Sequence, residues 1–438
     1  MIHFVRILAV TLLAATPLRA EIDIQPVETD ASFSAWLVEE RSIPFVAIEV
    51  VFPGGAVLDT EDRLGATSLM TELLSEGAGD LDSQAFAAAV EATAGSVRFD
   101  AGRDSVSLRI RALTENRDEV LELARMALTD PRFDETALHR VRAQTIASLE
   151  RDARNPNTIA SQTFNELAFA GHPYARPTEG TPETVSALSR DDILTAHRTA
   201  LTRDRVLVGA AGDISAEDLG QLLDDLLGDL PEATVDLPDH AAFTAPGGIT
   251  VVEHPGPQSV VAFGHAGIRR DDPDFMAAFV MNEIFGGGRF GTRLMRELRE
   301  TRGLTYGIGT SVATAQHGDS FQGRLSTDNS RVGEVVALLR SEWEWLAEGG
   351  ITQADLERVQ TYLTGAYPLR FDGNASIAGI LASMQFQGFD IDYVNVRNDL
   401  VRALTLEDIH RVAGRMIDPE ALHFVIVGQP QGLDDLGF

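Results

Sequence analysis

The sequence predicts an α+β protein made of two copies of one unit. Three observations support this: an internal repeat, a set of matching helix starts, and strands and amphipathic helices mixed in irregular order within each copy. In the repeat, Ala187-Leu-Ser-Arg-Asp-Asp-Ile193 reads against Ala403-Leu-Thr-Leu-Glu-Asp-Ile409. The same spacing, carried forward without a gap, sets Gly212 on Gly428, each closing an apolar run (Val206–Ala211 and Leu422–Val427) that reads as a buried strand. Upstream, Leu138-His-Arg-Val141 matches Leu356-Glu-Arg-Val359, and Thr71-Glu-Leu-Leu74 faces Asn282-Glu-Ile-Phe285. Ser189/Asp192, Ser215/Asp218, Thr352/Asp355 and Thr405/Asp408 are helix-start boxes, in which the hydroxyl accepts from a free N–H and the carboxylate favours the positive helix end.

Composition narrows the function classes. The chain has 438 residues, 44% hydrophobic and 23% charged, with a formal net charge of −30 and no cysteine. That charge argues against nucleic acid or an anionic membrane as partner. Without cysteine there is no disulfide, thiolate nucleophile or Cys-based zinc site.

In chain order, Met1–Ala20 reads as a secretory signal, with Arg6 before the apolar core Ile7–Ala15 and Leu18-Arg19-Ala20 as the cleavage site. It is too short for a stable membrane span, and the expected location is the bacterial periplasm. Residues 21–235 form the first half. The linker at 236–248 lies inside the aperiodic Pro-, Ala- and Asp-rich stretch 231–248, and residues 249–438 form the second half. There, Gly286, Gly288 and Gly291 satisfy G-x-G-x-x-G. The preceding Pro273–Phe285 reads as a helix started by Asp272 and Pro273, not as the strand that a dinucleotide loop requires. A charged helix is expected over Thr292–Thr301, a left-handed stop at Gly303 and a strand over Leu304–Val312. An extended peptide can pair along such a strand if it lies at a sheet edge.

Gly286–Val312 resembles the "SRL…LRE.RGL.Y" segment of the pitrilysin/insulinase-type (M16) zinc peptidases, with Arg293 and Tyr306 on its arginine and tyrosine. Ala170-Gly-His-Pro-Tyr174 and Val206…Gly212-Asp213 resemble two further segments of that family, in the same order. The resemblance covers nearly all of the chain after the signal. It implies two homologous halves, each a mixed, mostly antiparallel sheet covered by helices, arranged as a clamshell. It also implies that Arg293 and Tyr306 contact substrate backbone near a scissile bond, where the guanidinium fork suits a carbonyl and the phenol an oxyanion.

Active members carry H-x-x-E-H on a helix of the first half, two histidines for zinc and a glutamate for water activation. Aligning Gly65 and Gly77 with the family's glycines sets Ser68, Thr71 and Glu72 at those positions, a degenerate metal site without the imidazoles or the base. The third ligand falls near Ala147 and Ser148, with Glu150 as the nearest carboxylate. None of the ten histidines forms an i, i+3 or i, i+4 pair, and His172 is expected to hold its own turn. No catalytic or metal-ligating residue is expected within this chain. The resemblance implies a non-catalytic, substrate-binding subunit of a heterodimeric zinc peptidase, whose partner is an H-x-x-E-H homologue carrying the zinc. The alternative is a stand-alone peptide-binding or scaffold homologue with no hydrolytic partner.

Overall fold

The structure is a computed structural model and describes residues 22–30, 33–434 and 436. The signal assigned to Met1–Ala20 lies outside the described residues.

The first half contributes β1 (Gln25–Val27), β2 (Ser34–Glu39), β3 (Phe45–Pro53), β4 (Ser96–Ala101), β5 (Ser105–Leu113) and β6 (Leu207–Gly212). They form one sheet in the order β1-β2-β6-β3-β5-β4, with only β2 and β6 parallel. The second half contributes β7 (Gly248–Glu253), β8 (Gln258–Ala266), β9 (Ile308–Ala315), β10 (Gly318–Asp328) and β11 (His423–Gly428). Read from its parallel end, this sheet runs β7-β11-β8-β10-β9 and repeats the run β2-β6-β3-β5-β4 of the first sheet, including the single parallel pair β7/β11, while β1 has no counterpart among the described residues. Both apolar runs expected as strands are the pivots of these parallel pairs. In β5, Val106, Leu108, Ile110 and Ala112 are buried while Arg109 and Arg111 point the other way, the period-2 alternation of a sheet with two unlike faces.

Each sheet packs one face on helices of its own half. Leu69, Leu73 and Leu108 lie in one core, and Phe263, Phe285, Phe321 and Trp343 in the other. The opposite faces are covered by exchange. Helix Pro156–Ala168, from the first half, brings Ala160 and Phe164 onto Val260, Ala262, Val425 and Val427 of the second sheet. Helix Asn374–Phe386, from the second half, lies on the first sheet. It sits so close that a Cβ on Gly209 of β6 would stand 2.1 Å from the Ala378 carbonyl. Gln385 donates to the Val208 carbonyl (2.7 Å) and Asn374 to the Phe45 carbonyl (3.1 Å). These two helices are related by the same spacing as Leu138 and Leu356, so the duplication includes the exchange.

The four helix-start boxes form as expected: Ser189, Ser215, Thr352 and Thr405 each accept from the backbone N–H three residues on. Three details around the glycine loop differ from expectation. The helix before it starts at Phe275, because Asp272 accepts from Asp274 N–H and is held by Arg415. The segment expected as an α-helix over Thr292–Thr301 is wound as a π-helix over Met295–Thr301. The strand starts at Ile308, not Leu304, because the Thr305 hydroxyl accepts from Gly307 N–H (3.2 Å) and bends the chain at Tyr306.

Candidate functional site

The metal-position helix, α1 (Ala66–Leu73), is positioned from outside itself. Gly65 precedes it at φ +89°, where a Cβ would stand 2.5 Å from the Glu179 carbonyl. The buried carboxylate of Asp59 caps the helix, accepting from Gly65 N–H (3.0 Å), Thr67 N–H (3.2 Å) and the Thr67 hydroxyl (2.6 Å). Burial pushes Asp59 up to about 6 against those hydrogen bonds.

Ser68 and Thr71 are buried. Ser68 donates to the Thr178 carbonyl (3.2 Å), and Thr71 donates back to the Thr67 carbonyl of its own helix (2.8 Å). Glu72 is exposed as a residue, but its carboxylate packs against Thr145 of α2 (Glu135–Asp152), whose hydroxyl lies 3.3 Å away. Burial raises the Glu72 carboxyl above its ordinary value. The Thr145 hydrogen bond opposes that shift and the Glu179 charge adds to it. The α2 side chain that meets Glu72 is therefore Thr145, five residues before Glu150 and just ahead of Ala147 and Ser148. Thr145 lies within one turn of Ala147 and Ser148 on the same uninterrupted helix.

This donor set does not fit zinc. Ser68, Thr71, Glu72 and Thr145 supply one carboxylate and three neutral hydroxyls, where zinc takes imidazole, thiolate or carboxylate. Among the described residues no three His, Asp or Glu side chains are grouped to hold a metal ion. No step through a metal can be derived from this chain.

The second-half segment has the opposite character. Gly286 is pinned: its carbonyl accepts from Thr310 N–H (2.6 Å), and a Cβ there would stand 2.2 Å from the Thr310 hydroxyl. Asn282, at the end of the preceding helix, exchanges hydrogen bonds with Thr310 of β9 (2.6 and 3.2 Å). Beyond this anchor the loop projects Phe290, 76% exposed, and the bend projects Tyr306, 89% exposed. The Arg299 guanidinium lies over both rings, 4.9 Å from Phe290 and 5.2 Å from Tyr306. β9, which follows the bend, is the edge strand of its sheet.

Arg293 and Tyr306 have different surroundings. The Arg293 fork is bidentate on the buried Glu342 (2.7 and 3.0 Å), reaches Glu297 (3.5 Å) and lies over the Trp345 ring (4.4 Å). Its donors are spent inside the fold, on Glu297 four residues on and on Glu342 49 residues downstream, which no local motif marks. Phe290 and Arg299 were also missed. An aromatic residue inside a glycine loop was the available signal for the first. His172 holds its turn, accepting from Tyr174 N–H at Nδ1 (3.1 Å) with Nε2 2.9 Å from the Asp239 carbonyl.

A duplicated α+β chain with a blocked metal-position helix and a glycine loop ending in an exposed tyrosine defines the class: a peptidase homologue without the zinc ligands. The chain belongs to peptidase family M16. The family model described as "Insulinase (Peptidase family M16)" matches residues 36–182, and the one described as "Peptidase M16 inactive domain" matches residues 187–363. A Helicobacter pylori protein named "Non-peptidase homolog YmxG" is 25% identical over 390 residues, 89% of this chain and 90% of that one. A crystal structure of a peptidase M16 inactive domain from Pseudomonas fluorescens superposes with a TM-score of 0.87 at 26% identity, covering 93% of this chain and 98% of that one. A Helicobacter pylori protease structure has the same fold, with a TM-score of 0.84 at 17% identity over 93% and 100% of the two chains.

Proposed function

We propose that this chain is the non-catalytic, substrate-binding subunit of a two-chain periplasmic zinc peptidase, and that an H-x-x-E-H homologue carries the metal. The single observation behind the reading is Tyr306, an 89% exposed phenol on a bend braced by Thr305 and set directly before an edge strand. Phe290 stands exposed beside it under the same Arg299 guanidinium, so the two rings form an exposed aromatic pair rather than one scattered side chain. An edge strand offers backbone pairing to an extended peptide, and the neighbouring phenol can donate to a developing oxyanion. The spent hydroxyls of α1 and the non-peptidase name of the Helicobacter pylori relative support assigning the metal to another chain. Arg293 acts here as a brace for the π-helix through Glu342, so its part in substrate binding is indirect unless that pair opens.

A second reading, a peptide-binding scaffold with no hydrolytic partner, is favoured by the closed Arg293–Glu342 pair. The test is co-production with an exported H-x-x-E-H homologue from the same cell. The proposal expects co-elution near twice the single mass, and chelator-sensitive cleavage of an unstructured peptide by the pair but not by this chain alone. Separate elution under all conditions overturns it and selects the scaffold, and co-elution without cleavage overturns the peptidase part of the proposal.

A further inference from the structure

The exchange of helices leaves a cavity of about 1110 Å³ between the halves. Its floor is the outward face of β3 and β5, and its walls are helix Asn374–Phe386 and the segments around Phe275, Tyr367 and Tyr393. This is slightly above the range of about 300 to 1,000 Å³ typical of sites that hold small organic ligands.

Its charge is unlike the rest of the molecule. Acids outnumber bases 66 to 36 in the chain, and every one of those bases is arginine. Around the cavity the ratio is inverted: Arg109, Arg111, Arg270, Arg370 and Arg397 line it against a single acid, Glu49, which is already paired with Arg109 (3.1 Å). Arg270 and Arg397 have no carboxylate partner among the described residues. Arg397 is 5% exposed, and its Nη1 donates to the Leu363 carbonyl (3.2 Å) and the Asn398 side chain (3.1 Å). Arg270 donates to the Thr314 hydroxyl. Burial lowers the pKa of both guanidiniums, the mark of cations held in a poorly solvated place. A guanidinium carries five N–H donors: Thr314 takes one from Arg270, while Leu363, Asn398 and the Tyr393 side chain take three from Arg397, so four of the first and two of the second remain for the cavity.

The walls between these cations are aromatic. Arg270 lies over Phe275 (4.8 Å) and Phe389 (5.4 Å), and Arg397 over Tyr367 (4.5 Å) and Phe279 (5.8 Å). The rings neighbour both guanidiniums and put apolar surface beside the two cations.

We propose that this cavity binds an amphipathic carboxylate, its carboxylate on Arg270 and Arg397 and its apolar body against the surrounding rings. A fatty acid and the C-terminus of an apolar peptide share that chemistry. The site lies in this chain alone and stands apart from the zinc-peptidase reading, so its test needs no partner.

The experiment is calorimetric titration of the purified chain with sodium dodecanoate, dodecanol, and a short apolar peptide as free acid and as C-terminal amide. The expected result is one dodecanoate per chain, with dodecanol bound at least about 10-fold more weakly, the scale of a lost charge-assisted hydrogen-bond pair. If the peptide acid binds more tightly than dodecanoate and the amide does not bind, the source is a peptide end; the reverse order selects the fatty acid.

Arg270→Gln and Arg397→Gln should each weaken binding about 10-fold or more. Because Arg397 is buried and its variant can unfold, Gly379→Leu is the second variant. A Cβ at Gly379 meets nothing within 4 Å and Gly379 lines the cavity, so a larger side chain there takes up cavity space and also removes a helix-interior glycine. It should keep or raise the melting temperature and abolish binding. Equal binding of dodecanoate and dodecanol, or unchanged binding in folded Arg270→Gln and Gly379→Leu, overturns the proposal.

Discussion

Thr71-Glu72 and Asn282-Glu283 occupy matching positions in the two halves, and they are used in opposite ways. In the second half both side chains tie elements together: Asn282 holds Thr310 of β9, and Glu283 holds Arg289 at its Nε (3.0 Å). In the first half Thr71 bonds only within its own helix, and Glu72 meets a threonine hydroxyl at 3.3 Å. The second-half pair builds an anchor from which Phe290 and Tyr306 project into solvent. The first-half pair closes a wall. Of these four side chains only Thr71 is satisfied within its own helix, and only the second-half pair supports an exposed loop.

The largest effect that tests this contrast is expected at Arg293. If the arginine braces the loop, Arg293→Ala leaves the buried Glu342 carboxylate without its partner. Removing one member of a buried pair costs about 3 to 5 kcal/mol, and the partial exposure of Arg293 argues for the lower end. Urea denaturation should show a marked fall in midpoint, partly recovered by Arg293→Ala with Glu342→Gln. A free surface clamp would instead leave the midpoint unmoved.

Tyr306 should behave in the reverse manner. Tyr306→Phe removes an exposed hydroxyl and should leave the melting temperature unchanged. In the proposed two-chain peptidase it should lower turnover by about 100- to 1,000-fold, the loss of one oxyanion donor. Wild-type turnover in an assembled pair would falsify the oxyanion assignment and leave Tyr306 as an aromatic contact only.

Acid sensitivity separates the halves next. His197 and His265 are buried, one in each half, and burial lowers both below the ordinary 6.5. The unfolded chain therefore binds protons that the folded chain refuses. Stability is fully present above about pH 6.5 and falls as pH drops toward the folded values, by up to about 1.4 kcal/mol per pH unit for each histidine. Raised carboxylates oppose this in both halves, Asp319 in the second and Asp59 in the first, and Asp59 is the one pushed furthest. Raised to about 6 from 3.8, it takes up a proton in the folded state first, which adds stability as pH falls through 6. Asp59→Asn should thus steepen the loss of urea midpoint between pH 6 and 4, and an unchanged slope would contradict the assignment.

What the sequence disclosed follows the range of the interactions involved. Ser189 with Asp192 and Thr405 with Asp408 act over three residues, so the helix starts and the duplication were legible. Gly303 takes its left-handed position at φ +60°, another local requirement. The exchange of helices, the Arg293–Glu342 pair and the arginine-lined cavity are made of contacts between residues tens to hundreds apart, which no window of sequence contains. Tyr306 fell between these cases. Its motif was legible, but its exposure depends on the Thr305 hydroxyl turning the chain before the strand begins.

The smallest effects belong to the closed wall of the first half, and their smallness is the test. Ser68→Ala removes the donor to the Thr178 carbonyl, which lies across a tertiary contact and gains no replacement, so about 1 kcal/mol of stability should be lost. Thr71→Val should cost less, under about 0.5 kcal/mol. The Thr71 hydroxyl only doubles up on a helix carbonyl that already has a backbone partner, and valine keeps the shape and a similar helix propensity. Neither change touches the loop, so peptide cleavage by an assembled pair should stay at the wild-type rate. If Ser68→Ala or Thr71→Val lowers that rate while the urea midpoint moves by less than about 1 kcal/mol, the first-half site still acts in chemistry, and the difference drawn between the two halves is wrong.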